Sequence, residues 1–158
     1  MDPLREQVKG GTVFTKFDLR DGYYLICIRE GDEWKMAFRT QYGQFEYKVM
    51  PFGLCNAPAT LQGMMNEVLR EFLDQGVVVY LDDVLIYSKT MEEHVQLVRK
   101  ILHKLAQHNL AVAGHKSVFH VPETEFLGFI VNGQGMCVSD EMTQSVWEWA
   151  TPKNLRAV

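Results

Sequence analysis

The chain has 158 residues, 47% of them hydrophobic, which is enough for one compact domain with a real core. Its 16 basic and 20 acidic side chains give a formal net charge of −4. That balance excludes the broadly basic surface with which a self-sufficient nucleic-acid binder holds phosphates.

In chain order, Val13, Thr15 and Phe17 alternate with Phe14, Lys16 and Asp18, which predicts a strand with Asp18 at its exit. A bend at Asp21-Gly22 precedes a second predicted strand, Tyr24 to Ile28. Trp34 to Thr40, a turn at Tyr42-Gly43 and the run Phe45 to Val49 predict a β-hairpin. The loop Met50-Pro-Phe-Gly-Leu-Cys-Asn-Ala-Pro58 leads into a helix over residues 57–74, with Asn56 as N-cap and Pro58 in the first turn. Leu61, Met64, Met65, Val68, Leu69 and Phe72 recur at helical spacing and read as core.

Val77-Val-Val-Tyr-Leu-Asp-Asp-Val-Leu-Ile-Tyr87 predicts two strands around an aspartate pair. Thr90-Met-Glu-Glu93 has the form of a capping box and opens a helix over 91–108. Val95, Leu97, Val98, Ile101, Leu102 and Leu105 form its apolar face, and Asn109 closes it in a left-handed cap. Glu125 to Val131, the Asn132-Gly133 turn and Met136 to Val138 predict another hairpin. Ser139 or Asp140 then caps a helix carrying Met142, Val146 and Trp149. The order is β-β-β-β-α-β-β-α-β-β-α, an α+β class with an antiparallel sheet and helices packed on one face.

No apolar run reaches the roughly 18 residues of a membrane span, so no membrane partner is expected. The opening Met1-Asp-Pro-Leu-Arg-Glu lacks a signal-peptide core. Cys27, Cys55 and Cys137 read as reduced thiols, so an intracellular address, cytoplasmic or nuclear, is expected. His94, His103, His108, His115 and His120 show no metal-ligand spacing and receive no role.

Asp82 and Asp83 are the most informative feature of the chain. Two carboxylates between β-prone flanks are either turn residues, which Asp suits well, or ligands for a cation that offsets their burial. Asp18 alone reads as a helix cap or turn residue ahead of a ligand. One strand-end aspartate plus a hairpin pair is what a two-metal phosphoryl-transfer centre requires, with cations about 4 Å apart stabilising the attacking and leaving oxygens.

Phe14-Thr-Lys-Phe-Asp-Leu-Arg-Asp-Gly-Tyr23, Met50-Pro-Phe-Gly-Leu-Cys-Asn-Ala-Pro-Ala-Thr60, Tyr80-Leu-Asp-Asp83 and Phe126-Leu-Gly128 occur in this order over nearly the whole chain. Together they resemble the motifs of reverse transcriptases, most nearly those of gypsy-type long-terminal-repeat retrotransposons. The resemblance implies a palm-like polymerase fold over 1–158, with partial fingers at about 24–60 and the start of a truncated thumb at about 140–158. It implies addition of deoxynucleotides to a primer 3′-hydroxyl, with Asp18, Asp82 and Asp83 holding two Mg²⁺ ions, or Mn²⁺ as a substitute. Lys116 would protonate the pyrophosphate. Leu19, Tyr23, Phe52 and Gly53 would line the nucleotide pocket, with Tyr23 blocking a ribose 2′-hydroxyl. Tyr80, Phe126, Leu127 and Gly128 would hold the primer. From the residues alone, Tyr23 and the Phe126 segment read as plain core and Lys116 as a solvated lysine. The implied partners are an RNA or DNA template with its primer and deoxynucleoside triphosphates.

Only 17 residues precede Asp18, so most of the fingers, the thumb and a ribonuclease H segment are expected outside this chain. Their absence would explain the acidic balance. Two readings follow: a polymerase palm, or a non-polymerising retroelement remnant that binds at most a metal or a partner. An RNA-dependent RNA polymerase would share the palm, but a bulky Tyr23 would exclude its ribonucleotides.

Overall fold

The computed structural model describes residues 2–139 together with Thr143, Gln144, Trp147 and Glu148. The expected helix with Met142, Val146 and Trp149, and most of the expected thumb segment, lie outside the described residues. The elements are α1 (Asp2–Val8), β1 (Val13–Asp18), β2 (Ala37–Thr40), β3 (Gly43–Glu46), α2 (Ala57–Val68), β4 (Val77–Tyr80), β5 (Asp83–Ser88), α3 (Met91–Gln107), β6 (Val118–Val121), β7 (Glu123–Phe126), β8 (Phe129–Asn132) and β9 (Gly135–Val138).

A four-stranded sheet in the order β4-β5-β1-β6 forms the centre, and every pairing in it is antiparallel. Successive side chains of a strand point to opposite faces, so β1 and β5 each serve two environments. Phe17, Val84 and Ile86 enter a core closed by Leu61, Met65 and Val68 of α2 and by Val98, Ile101 and Leu105 of α3. On the other face Phe14 and Leu85 join Phe126 and Val131 of the β7-β8-β9 sheet and Val8 of α1 in a second core. The helices α2 and α3 therefore cover one face, as expected. At the end of the other face stand Lys16, Asp18 and Asp83, each side chain about a quarter exposed.

α3 matches the sequence reading closely. The Thr90 hydroxyl accepts from the Glu93 amide at 3.3 Å, and Asn109 takes a left-handed φ of 58° past the last turn. α2 starts where expected, although the Asn56 side chain makes no capping bond. It stops at Val68 rather than 74, because the chain must reverse direction into β4. Asp74 (φ 61°) and Gly76 (φ 94°) make that reversal.

Three expectations are corrected. Tyr24 to Ile28 is not a strand: Gly22–Leu25 forms a 3₁₀ turn, and only Cys27 bridges to Val49. The local turn bonds Tyr24 N–H to Asp21 O (2.9 Å) and Ile26 N–H to Tyr23 O outcompete the β preference of the side chains. The run Glu125 to Val131 is not one strand, because Leu127 and Gly128 both have positive φ and fold it into the two-residue turn between β7 and β8. Two elements, α1 and β6, have no counterpart in the sequence reading.

His94, given no role from the sequence, is fully buried at the start of α3. Its Nε2 lies 2.7 Å from the Thr15 Oγ1 of β1 and its Nδ1 2.5 Å from the Ser88 Oγ of β5. The Thr15 hydroxyl also accepts the His120 amide at 3.0 Å. One ring nitrogen donates and the other accepts in either neutral tautomer, so α3 is pinned to both central strands without a buried charge. No helix among the described residues is long and apolar enough to cross a membrane.

Candidate active site

The antiparallel register places Asp18, the last residue of β1, directly opposite Asp83, the first residue of β5. Cross-strand partners share a sheet face, so the two carboxylates emerge side by side. Asp82 sits in the two-residue turn between Tyr80 and Asp83, where Leu81 takes the left-handed φ of 54° that such hairpins need. The turn is braced from two sides. The Leu19 amide donates to Asp82 O at 3.0 Å, tying the tip to the end of β1. Gln62 of α2 accepts the Leu81 amide at 2.8 Å and donates to Val79 O at 3.2 Å. Nothing in the sequence singles out Gln62, because its role depends on where α2 packs.

Burial pushes the Asp83 carboxyl above the usual carboxylate range. Lys16 opposes that, the charges of Asp82 and Asp18 add to it, and Lys116 opposes it again. Asp83 thus feels the charge of both other carboxylates. Lysines answer it: Lys16 Nζ lies 4.0 Å from Asp83 Oδ1 and Lys116 Nζ 3.8 Å from Asp18 Oδ1. The donor set suits a hard divalent cation, being all carboxylate oxygen and mutually repelling without one. Among the described residues no three His, Cys, Asp or Glu side chains converge into a ready-made cage.

Beside Asp18 opens a cleft of about 450 Å³, floored by Leu19 and Val112 to Gly114 and rimmed by Arg20, Asp21, His115 and Lys116. Lys116 therefore does stand at the aspartates, and Arg20 and His115 join it there, though the sequence reading passed over both. A larger concavity of about 700 Å³ lies at the opposite end of β1 and β5, between Gly11, Ser88 and the first turn of α3. It holds none of the residues the motifs single out.

Tyr23 and Phe52 also come together, with ring centroids 4.6 Å apart, and Tyr24 meets the same Phe52 ring edge-on at 5.7 Å. Gly22, next to Tyr23, runs so close to the hairpin that a Cβ built on it would lie 3.7 Å from Asp82 Cβ. Phe52 itself is 66% exposed. Gly53 has φ 96°, and the space around its Cα is open; the glycine is there for the turn.

Other expected site residues sit differently. The Leu19 side chain is buried in the main core, which leaves only its backbone to face the cleft. Tyr80, expected at the primer, is half-exposed at the end of β4. Phe126 is fully buried and anchors the β7–β8 hairpin in the second core, so Leu127 and Gly128 at the turn are the residues it presents.

Comparison with known proteins agrees with this geometry. The family model described as "Reverse transcriptase (RNA-dependent DNA polymerase)" matches residues 2–131. The Transposon Tf2-3 polyprotein of Schizosaccharomyces pombe is 42% identical over 154 residues, covering 98% of this chain and 12% of that protein. The chain thus spans a small part of the curated relatives it matches. A foamy viral protease-reverse transcriptase solved with double-stranded DNA superposes with a TM-score of 0.86 at 24% identity, over 93% of this chain and 26% of that one. The same kind of enzyme solved with an RNA/DNA hybrid gives 0.82 at 23% identity, over 96% of this chain and 21% of that one. Both share the α+β polymerase fold. The chain belongs to the reverse transcriptase family, in the gypsy-type retrotransposon branch to which its motifs pointed.

Proposed function

We propose that this chain is the palm of an RNA-directed DNA polymerase that adds deoxynucleotides to a primer 3′-hydroxyl. The observation that carries the reading is the register that sets Asp18 opposite Asp83, beside Asp82, on the sheet face away from α2 and α3. Asp18, Asp82 and Asp83 would hold two Mg²⁺ ions, with Mn²⁺ as substitute. When bound, such a pair supplies charge stabilisation to the attacking and leaving oxygens of an in-line displacement.

The chain's own residues do the rest. Gln62 and the Leu19 amide hold the aspartate turn in place, so little reorganisation is needed when charge develops. Lys116 stands at the cleft beside Asp18, where it would meet a departing pyrophosphate and pass it a proton; Arg20, on the same rim, is paired with Asp21. Tyr23, backed by Phe52, fills the volume a 2′-hydroxyl would need. Leu127 and Gly128 would meet the primer. A primed RNA or DNA template is the macromolecular partner, and fingers, thumb and ribonuclease H segments of a longer polyprotein would supply the basic surface that a net charge of −4 lacks.

The test is primer extension on an RNA template with Mg²⁺, using this chain and a version extended at both ends. Extension is expected from at least the longer version, and Asp82→Asn should reduce it by about 10²-fold or more, the scale of losing one preorganised charge-stabilising group. Silence from both versions would overturn the polymerase reading and leave a non-polymerising remnant.

A further inference from the structure

Lys16 stands two residues before Asp18 on the same face of β1, and its cross-strand partner is Leu85. Asp83 is therefore its diagonal neighbour, a separation of about 7–8 Å that a long side chain spans. The ammonium does reach across, to 4.0 Å from Asp83 Oδ1, and only about a quarter of either side chain is exposed. Phe14 and Leu85, the next residues along this face, are fully buried, so the lysine stem has an apolar floor to lie on. An ion pair in such a setting is screened less than one in open water.

We infer that Lys16 is a positioning residue acting through Asp83: its ammonium takes the place of a cation at the metal-free carboxylates, and it must yield when a divalent ion enters. Its charge thereby sets the metal concentration at which the site fills. This rests on the polymerase reading only in taking the three aspartates as metal ligands. Lys116 pairs with Asp18 at a similar distance, but its side chain is 60% exposed, and solvent weakens its claim on the site. The tuning therefore falls chiefly to Lys16.

The experiment is a Mn²⁺ titration of the nucleic-acid-free chain, followed by the loss of the free-ion electron paramagnetic resonance signal. The parent should bind Mn²⁺, and Asp83→Asn should weaken that binding. Lys16→Gln should half-saturate at roughly five- to tenfold lower Mn²⁺, the scale of removing a nearby, partly desolvated charge. Lys16→Arg should match the parent, and Lys16→Gln combined with Asp83→Asn should lose the gain. Lys16→Met, apolar and of similar length, replaces Lys16→Gln if circular dichroism shows the latter unfolded. Equal or weaker Mn²⁺ affinity in a folded Lys16→Gln chain overturns the inference alone. Failure of both neutral variants to fold overturns it too, making the pair purely structural. Absence of Mn²⁺ binding by the parent removes the metal reading along with it.

Discussion

Acidification should unfold this domain partly through one side chain. His94 is fully buried, and that burial, helped by the charge of His120, lowers its pKa from 6.5 to about 4. In the unfolded chain the ring takes up a proton near its ordinary value; in the fold it resists until about pH 4. Between those values the unfolded state binds more protons, so stability falls as pH falls through the window. A difference of about 2.5 units corresponds to about 3 kcal/mol when complete, of which about 2 kcal/mol should be lost between pH 7.5 and 4.5. That is a sizeable share of the roughly 5–15 kcal/mol by which domains are stable. The assay is urea unfolding at both pH values for the parent and for His94→Gln, which keeps a polar side chain near Thr15 and Ser88 but does not titrate. Other groups titrate in both proteins, so the difference between the two pH losses isolates His94. Equal losses would refute the argument.

Two further changes test the fold and the pocket. At Gly76 a Cβ would lie 2.7 Å from Tyr87 O and 3.0 Å from Leu97 Cδ2 at a φ of 94°. Gly76→Ala should therefore lower the urea stability by about 1–3 kcal/mol, as strain at a special backbone position does, and an unchanged midpoint would show that the β4 entrance relaxes freely. Tyr23→Ala should narrow the preference for deoxynucleotides over ribonucleotides by about tenfold or more, since its ring is the bulk beside Phe52; competitive incorporation measures this, and unchanged discrimination would remove Tyr23 from the pocket.

Legibility in the sequence followed the physics of each segment. α3 could be read to within a residue because cap, periodicity and left-handed exit all lie within its own stretch. The Asp82 hairpin was equally local, with strong β formers on both flanks of a turn. Tyr24 to Ile28 misled because β-branched and aromatic side chains report a preference for extended backbone, whereas the outcome was decided by Asp21 at φ 56° and the turn bonds it starts. β6 escaped notice because its pairing with β1 is interrupted by a bulge and its His120 adopts φ 54°. At the candidate site, the aspartates, Tyr23 and Phe52 were singled out by motifs. Gln62, Lys16 and Arg20 were not, since what recommends them is an arrangement between elements. The buried His94 was missed for the same reason: its hydroxyl partners are 79 and 6 residues away.

The period of two along β1 and β5 assigns foldedness and chemistry to different side chains of the same short segments. Phe17, Val84 and Ile86 answer to the packing against the helices, while Lys16, Asp18 and Asp83 answer to the open surface. Neutralising Asp18 or Asp83 relieves like-charge repulsion and gives up an ion pair with Lys116 or Lys16, while the core side chains keep their packing. Loss of a carboxylate would therefore end the proposed chemistry while the core, carried by other side chains of the same strands, still holds the fold together.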